Sequence, residues 1–448
     1  MKWGIVSYYG LSRRDIASRR IELLCNLLNR LDQSVALITY SAKNIEDGFS
    51  SLDNEVRVLA ITHKHALLAS KLREHYSQKG IGKSGSCYKG AYTFQKVFKQ
   101  TFGRFLKRII VNPYNTSYDS TSEKKYVKIK ENSYINCAQS CVSDDLSGNR
   151  AVIIFTSAGP AIMHRIGYEI KKKYPEVFWI ADYRDQIVGN PVAKATPKMR
   201  KANNLAIKNA DMITAVSEGL VNDIAKYSPV GKEAVLAKSY TLYNGFASKS
   251  AVKPYKPTAD NQRIRIAYTG VLYIMRRIDY LIRAIKEVNS SIAKSFELLY
   301  CGASSSIVDR IVAEEAANSF VTNKGFVSKQ EAEKEQDEAD ILLLLKSNEP
   351  ETGGMTGKFF EYLERNKPIL VLGDSDSEFN EIARKIGGIY VLPYDEEKIR
   401  EFLIDFASKW PFEIERNAEE VDKFNWSNLA KGLIEEVERR LKKRQFGG

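Results

Sequence analysis

Residues 346–373 read KSNEPETGGMTGKFFEYLERNKPILVLG. An unbroken apolar run at 341–345, ILLLL, leads into this stretch. Gly353, Gly354 and Gly357 then sit in a polar loop, where the lack of a Cβ lets backbone amides approach a ligand closely. The apolar spacing of KFFEYL predicts a helix starting near Lys358, and Pro368 opens a further buried strand. Free amides at a helix N-terminus form an anion site. Lys358 adds a point charge in the first turn. Glu361, three residues later on an adjacent face, offers a carboxylate that can accept hydrogen bonds from sugar hydroxyls. Phosphate at the amides and ribose at the carboxylate describe a nucleotide. A glycine-rich connection with a solvated helix start has the same spacing, so the residues alone leave both readings open. The loop is not a P-loop, because the required glycine is Thr352 and the required Ser/Thr is Phe359. Gly82-Lys83-Ser84 fails the same test at Ser77.

The same rhythm extends in both directions. Strand-like runs such as KWGIVSYY, SVALITY, AVIIFTS, VFWIADY, MITAVS, IRIAYTG, FELLYCG and PILVLG are mostly unbroken rather than alternating. Strands buried on both faces of a parallel sheet read this way. Helical patterns separate them, and alternating strand and helix implies a doubly wound α/β fold. There are too many strands for one sheet. A polar stretch with two prolines, ASKSAVKPYKPTADNQ at 247–262, reads as a linker. The expected division is a first Rossmann-like domain at 1–246, with a basic insertion at about 61–130, a second at 263–425, and a terminal amphipathic helix at 426–448. No repeat of 20–50 residues is visible.

Composition narrows the class. The 448 residues are 44% hydrophobic and 27% charged, which suits a globular protein rather than a disordered or fibrous one. No apolar run is long enough to span a bilayer, and the opening residues lack a secretory h-region. Cys25, Cys87, Cys137, Cys141 and Cys301 show no metal-binding spacing. They are read as free thiols in a reducing, cytoplasmic compartment. The net charge is +13. Eleven Lys or Arg against one acid, Glu74, place +10 of it in residues 61–112 and leave +3 elsewhere. A near-neutral protein with one basic insertion implies a docking surface rather than a general nucleic-acid binder.

Taken together, the two sheets, the glycine-rich loop into K-F-F-E-Y-L and the following strand K-P-I-L resemble the GT-B glycosyltransferases, and most closely the large retaining family 4 of the glycosyl transferases group 1 type. TSAGPAIMHRIGYEIKKKYPEVFWIADYRDQIVGNP (156–191), ADMITAVSEGL (210–220), LYNGF (242–246), RIRIAYTGVLYIMRRIDYLIRAI (263–285) and GFVSKQEAEKEQDEADILLLL (325–345) are similar to that family's segments in order and spacing. The likeness covers roughly 1–60 and 150–435. It implies a GT-B architecture, two Rossmann-like domains facing a cleft. The second domain would hold the nucleotide and the first the acceptor. On the donor side it implies Gly10, Gly270, Phe326, Val327, Gly353, Gly354, Met355, Thr356, Gly357 and Glu361. Arg276, Lys358 and Asp185 are the implied catalytic groups.

The sequence departs from the family's pattern. Of its two glutamates separated by seven intervening residues, the second matches Glu361 and the first falls on Gly353. Its G-R-L-x-x-x-K-G reads Gly270-Val271-Leu272 followed by Arg276-Arg277. Diphosphate neutralisation would therefore rest on Arg276 and Lys358. The family's first-domain histidine has no clear match, although His164 lies in the right segment. Asp182, Arg184 and Asp185 follow the strand VFWIA, where doubly wound sheets place ligands. A surface ion pair or helix cap would use the same residues.

Residues 91–111, AYTFQKVFKQTFGRFLKRIIV, project as a basic amphipathic helix. Phe94, Phe98, Phe102, Phe105 and Ile109 share one face; Lys96, Lys99, Arg104, Lys107 and Arg108 flank it. Such a helix can lie in a membrane interface. Equally, the phenylalanines can face a protein core while the cations are solvated. Gly103 weakens the helix by about 1 kcal/mol. Aromatics segregated from cations suit lipid better than nucleic acid. Lys96, Phe98, Lys99, Phe102, Lys107 and Arg108 are thus assigned to the acceptor or membrane side.

The expected function is transfer of a sugar from a nucleoside diphosphate, a UDP- or GDP-sugar, to a glycan or lipid-linked acceptor. Retention is implied by the family, a lipid-linked glycan acceptor would explain the basic aromatic helix, and the expected role is in cell-surface polysaccharide synthesis. No metal or other cofactor is expected, since no D-x-D motif lies in the loop itself, and no nucleic-acid partner. The protein would be cytoplasmic and peripheral to an anionic membrane. A nucleotide-sugar 2-epimerase on the same fold and a non-catalytic basic binding protein are the alternatives.

Overall fold

The computed structural model describes residues 1–7, 16–41, 52–53, 55–62, 135–136, 139, 150–190, 194–247, 263–273, 276–346, 355–373, 377–411 and 414–446. The chain forms two compact units. One comprises Met1–Thr214 with Tyr227–Tyr240, the other Ala215–Lys226 with Thr241–Gly448.

The first unit is built on β1 (Lys2–Ser7), α1 (Ile16–Arg30), β2 (Ser34–Ser41), β3 (Arg57–Thr62), β4 (Val152–Ser157), α2 (Ile162–Lys173), β5 (Phe178–Tyr183), α3 (Pro197–Asn209) and β6 (Met212–Ala215). Helix α4 (Glu218–Lys226) belongs to the second unit; α5 (Lys232–Leu236) and β7 (Ser239–Thr241) follow it. The strand order is β3-β2-β1-β4-β5-β6-β7. β1 runs parallel to both β2 and β4, pairing Lys2 with Ser34 and with Val152. Five of the six β1 residues are buried, and all six of β4 and of β5. Burial of consecutive residues explains why these runs do not alternate. Close packing also fixes small residues. A Cβ on Gly167 of α2 would lie 2.3 Å from Trp179 Nε1 on β5. Thr196 caps α3 by accepting from the Met199 amide, and Pro197 supplies a preset first turn.

The second unit contains β8 (Arg263–Thr269), α6 (Ile278–Ser291), β9 (Ser295–Cys301), α7 (Ser305–Glu314), β10 (Val321–Asn323), α8 (Lys329–Glu338), β11 (Ile341–Leu345), α9 (Gly357–Glu364), β12 (Ile369–Leu372), α10 (Ser377–Ile386), β13 (Ile389–Leu392), α11 (Glu396–Lys409), α12 (Ala418–Asp422) and α13 (Trp426–Phe446). Its strand order is β10-β9-β8-β11-β12-β13, and every registered pair is parallel. Alternate residues feed two cores. Ile264, Ile266, Ile341 and Leu343 meet Leu281 and Ile285 of α6 in one; Ala267, Leu342 and Leu344 meet Phe359, Phe360 and Leu363 of α9 in the other. Trp426, fully buried at the start of α13, donates from Nε1 to the Asn244 carbonyl at 2.6 Å. That bond docks α13 onto the second unit.

In both sheets the chain leaves one central strand, builds outward, then returns to its other side. The reversals lie between β1 and β4 and between β8 and β11. Crevices beyond the carboxyl ends of strands at such points are where doubly wound sheets bind ligands.

Candidate functional site

Beside the second reversal three neighbouring strands run into glycine, the last of them after Lys324, which pairs with Glu335. β8 runs into Gly270, β9 into Gly302 and β10 into Lys324-Gly325. The Gly270 amide donates to the Cys301 carbonyl, and the Gly302 amide to the Gly325 carbonyl, each at 2.8 Å. A Cβ on Gly302 would fall 1.8 Å from the Gly270 carbonyl oxygen, so no other residue fits. Gly325 has φ +65°, a conformation that favours glycine. The result is a bare backbone ledge across three adjacent strands.

Two phenols hold the ledge from beneath. The Tyr268 and Tyr300 rings stack at 5.8 Å. Tyr268 donates to the Val271 carbonyl at 2.9 Å; Tyr300 donates to the Gly270 carbonyl at 3.2 Å and accepts from the Ser304 amide at 3.1 Å. Arg276 donates from Nη1 to the Tyr268 hydroxyl at 3.4 Å and lies over the Tyr273 ring, 4.9 Å from its centroid. Burial pushes the Tyr268 phenol up to about 12 against the opposing pull of Arg276, so it stays a neutral donor at any physiological pH. On the rim, Phe326 is 84% exposed, Tyr273 56% and Val271 42%. An aromatic side chain that far out of the core gains nothing from burial and is available for stacking.

Helix α9 faces the ledge. A Cβ on Gly270 would lie 3.8 Å from Lys358 Cε. Lys358 Nζ pairs with Glu361 Oε2 at 2.7 Å, with both side chains partly exposed. Thr356 occupies the N-cap but makes no side-chain cap bond, and its buried Oγ1 has no partner among the described residues. Behind Glu361, the Tyr362 hydroxyl lies 3.3 Å from both the amide and the Oγ1 of Thr269. Gln336 Nε2 donates to the same Thr269 Oγ1 at 2.5 Å. These bonds tie α8 and α9 to the end of β8.

The second unit therefore brings together Gly270, Arg276, Phe326, Gly357, Lys358 and Glu361. Val327 is half-buried against the α9 core. Met355 is 3% exposed and packs in that core, so only its backbone can meet a ligand. Gly10, Gly353 and Gly354 lie outside the described residues, as do Lys96, Phe98, Lys99, Phe102, Lys107 and Arg108. Sequence reasoning missed Gly302, Tyr268, Tyr300, Gln336 and Tyr362. The recurrence of glycine directly after a β-run, at 270 and 302, is the signal that could have found the ledge.

The first unit treats its candidates differently. Asp182 is fully buried, accepting from Arg20 at 2.8 Å, Ser157 at 2.8 Å and Thr214 at 2.9 Å. Burial alone would raise its carboxyl; the Arg20 guanidinium and the hydroxyl donors outweigh that and hold it below the ordinary value. Arg184 forks onto the Ala158 carbonyl at 3.0 and 2.7 Å, while Asp185 is exposed. His164 is fully buried, with Nδ1 3.1 Å from Thr156 Oγ1 and its ring 4.5 Å from that of Tyr183. Among the described residues no group of three or more His, Cys, Asp or Glu could hold a metal ion, and no helix is long and apolar enough to cross a membrane.

Among solved structures, the fold is similar over nearly its whole length to sucrose-phosphate synthase of Thermosynechococcus elongatus, with a TM-score of 0.61, 12% identity and 99% of each chain covered. It is equally similar to a glycosyltransferase of Rickettsia africae, with a TM-score of 0.61, 11% identity and 98% of each chain covered. HepE of Anabaena, solved in complex with UDP, aligns with a TM-score of 0.60 and 10% identity over 98% of this chain and 100% of its own. No protein-family model matches the chain, and no curated protein matches it. At these identities the likeness is one of fold: two Rossmann-like domains of the GT-B type.

Proposed function

We propose that the protein is a glycosyltransferase that takes a sugar from a nucleoside diphosphate. The observation that carries this is the bare ledge of Gly270, Gly302 and Gly325, with Lys358 lying against it and the exposed ring of Phe326 on its rim. A diphosphate meets backbone and cations there without side-chain obstruction, a ribose meets Glu361, and a base can stack on Phe326. The GT-B fold and the UDP bound by the fold neighbour HepE support the same reading.

When the glycosidic bond to the diphosphate breaks, negative charge grows on the leaving oxygens. Lys358, Arg276 and the first amides of α9 are fixed before that charge appears, and preorganised donors of this kind supply the largest catalytic term in many enzymes. Tyr268 orients Arg276 through its hydroxyl. The charge is neutralised by these side chains without metal. Transfer proceeds with retention, onto a glycan or lipid-linked acceptor held by the first unit, in cell-surface polysaccharide synthesis. The protein works in the cytoplasm at an anionic membrane, and the basic aromatic segment 91–111 contributes the attachment.

The test is a thermal-shift series with UDP-, GDP-, ADP- and dTDP-sugars. A ligand at 100 times its dissociation constant stabilises by ~2.7 kcal/mol, so the donor should raise Tm by several degrees. A protein that no nucleoside diphosphate sugar stabilises is not this enzyme.

A further inference from the structure

The net charge divides sharply between the units. The first holds 36 Lys or Arg and 19 Asp or Glu, a net of +17. The second holds 32 and 36, a net of −4. Most of the excess is the basic insertion, but a separate part lies on helix α3 and the turn that leads into it. Residues 194–209 contain Lys194, Lys198, Arg200, Lys201 and Lys208 and no acid. Together with residues 61–112 they exceed the net charge of the whole chain.

All five cations are exposed, while Ala202, Asn203, Ala206 and Ile207 bury the opposite side of the helix. Among the described residues none of the five makes an ion pair. Other helices of this molecule do pair their surface cations: Lys329 with Glu333, Lys334 with Glu338, Lys385 with Glu381, and Lys409 with Asp405. An open depression of about 420 Å³ runs along the cationic face, lined by Arg200, Lys201, Asn204 and Lys208 among others. Keeping like charges together on one helix is unfavourable unless something anionic covers them.

We propose that α3 is an electrostatic docking face on which the first unit rests against an anionic lipid surface. The clause of the functional reading on which this depends is that the acceptor lies at a membrane. Three observations favour a lipid surface over another polyanion. The first unit's excess sits in two separate basic stretches, the insertion and residues 194–209, and charge shared between separate patches of one unit suits an extended anionic field better than a single ligand. The face carries no aromatic side chain on which a nucleobase could stack. It is also open along its length, so headgroup phosphates can reach the cations from one side. Without a broad apolar stripe, α3 meets headgroups and does not insert. It is a contact independent of the aromatic segment 91–111.

The experiment uses the full chain and vesicles of phosphatidylglycerol with phosphatidylcholine, against phosphatidylcholine alone. The wild type should sediment with the anionic vesicles, and less so as salt rises. A variant with Lys198, Arg200, Lys201 and Lys208 changed to Gln should bind them about tenfold or more weakly, with unchanged Tm and nucleotide-sugar binding. Removing the same charge from the second unit, with Lys329, Lys334, Lys385 and Lys409 changed to Gln, should leave vesicle binding as it was. If the two variants lose equally, or the α3 variant loses nothing while the wild type binds, α3 is not the docking face. A wild type that ignores anionic vesicles overturns this inference together with the membrane reading. Tighter, α3-dependent retention on single-stranded DNA than on vesicles overturns the choice of lipid.

Discussion

Lys358 Nζ and Glu361 Oε2 meet at 2.7 Å on one turn of α9, so the cation and the carboxylate assigned to the donor neutralise each other when no ligand is present. Both side chains are partly solvated, and such a pair contributes at most about 1 kcal/mol to stability. The pair holds the lysine beside Gly270, where an added Cβ would lie 3.8 Å from Lys358 Cε. Lys358→Ala and Glu361→Ala should therefore leave Tm within about a degree or two. Each should weaken nucleotide-sugar binding or turnover by the ~1.5–3 kcal/mol of a lost charge-assisted bond, roughly ten- to a hundredfold. Titration calorimetry with the donor found by thermal shift measures it. Wild-type affinity in both variants removes the donor assignment.

Phe326 offers a cleaner separation of binding from folding. At 84% exposure its ring contributes little to the core. Phe326→Ala should keep the melting curve and lower affinity for the nucleotide several-fold, the loss expected for one aromatic stacking contact at about 0.5–1.5 kcal/mol. The same variant should lose equally for the nucleotide sugar and the bare nucleoside diphosphate. A loss confined to the sugar would place Phe326 elsewhere in the site.

How far these residues were readable in the chain depends on distance along it. IRIAYTG, FELLYCG and ILLLL announce buried parallel strands because both faces of each are covered. Gly357-Lys358 and Glu361 are readable because a helix start and its next turn are local. The contacts that complete the ledge are not local. Tyr362 reaches Thr269 across 93 residues and Gln336 reaches it across 67; Arg20 reaches Asp182 across 162. Pattern in a window of a dozen residues carries no information about such pairs. Asp182 illustrates the result. A conspicuous A-D-Y-R-D turn looks like a site, while burial and three donors make its first aspartate a strut between α1 and the sheet.

The basic segment 91–111 lies outside the described residues, and its two readings predict opposite behaviour. Phe98→Ser with Phe102→Ser should weaken attachment to anionic vesicles and leave Tm unchanged if the helix lies in the interface. If the rings fill a core, each truncation should cost ~3–5 kcal/mol and the protein should unfold at a lower temperature. Circular dichroism melts alongside vesicle sedimentation decide between them.

Charge neutralisation by Lys358 and Arg276 makes a definite statement about chelators. Donor turnover should survive EDTA, and added magnesium or manganese should not raise it by more than a small factor. Activity lost completely on chelation and restored by either ion would replace the side-chain scheme with a metal-bridged diphosphate.

The first unit should lose stability early as pH falls, through His164. Burial lowers the imidazole from 6.5 to about 3, with the Asp182 charge pulling weakly the other way. The folded value is below the unfolded one, so the unfolded chain takes up a proton first. The contribution of the neutral ring is complete above pH 6.5 and is lost as pH falls from 6.5 towards 3. Asp182 adds a second loss in the same direction at lower pH, since its folded carboxyl is also held below its ordinary value. Over the window from about pH 6.5 to 4.5, His164 alone should add up to ~1.36 kcal/mol of destabilisation per pH unit, the slope for one proton. Urea unfolding at a series of pH values, followed in wild type and His164→Gln, measures that slope. The variant should be flatter by close to one proton, although it is less stable at neutral pH for loss of packing against Tyr183. Parallel slopes would mean that His164 titrates normally in the folded chain, and that the ring is reached by water.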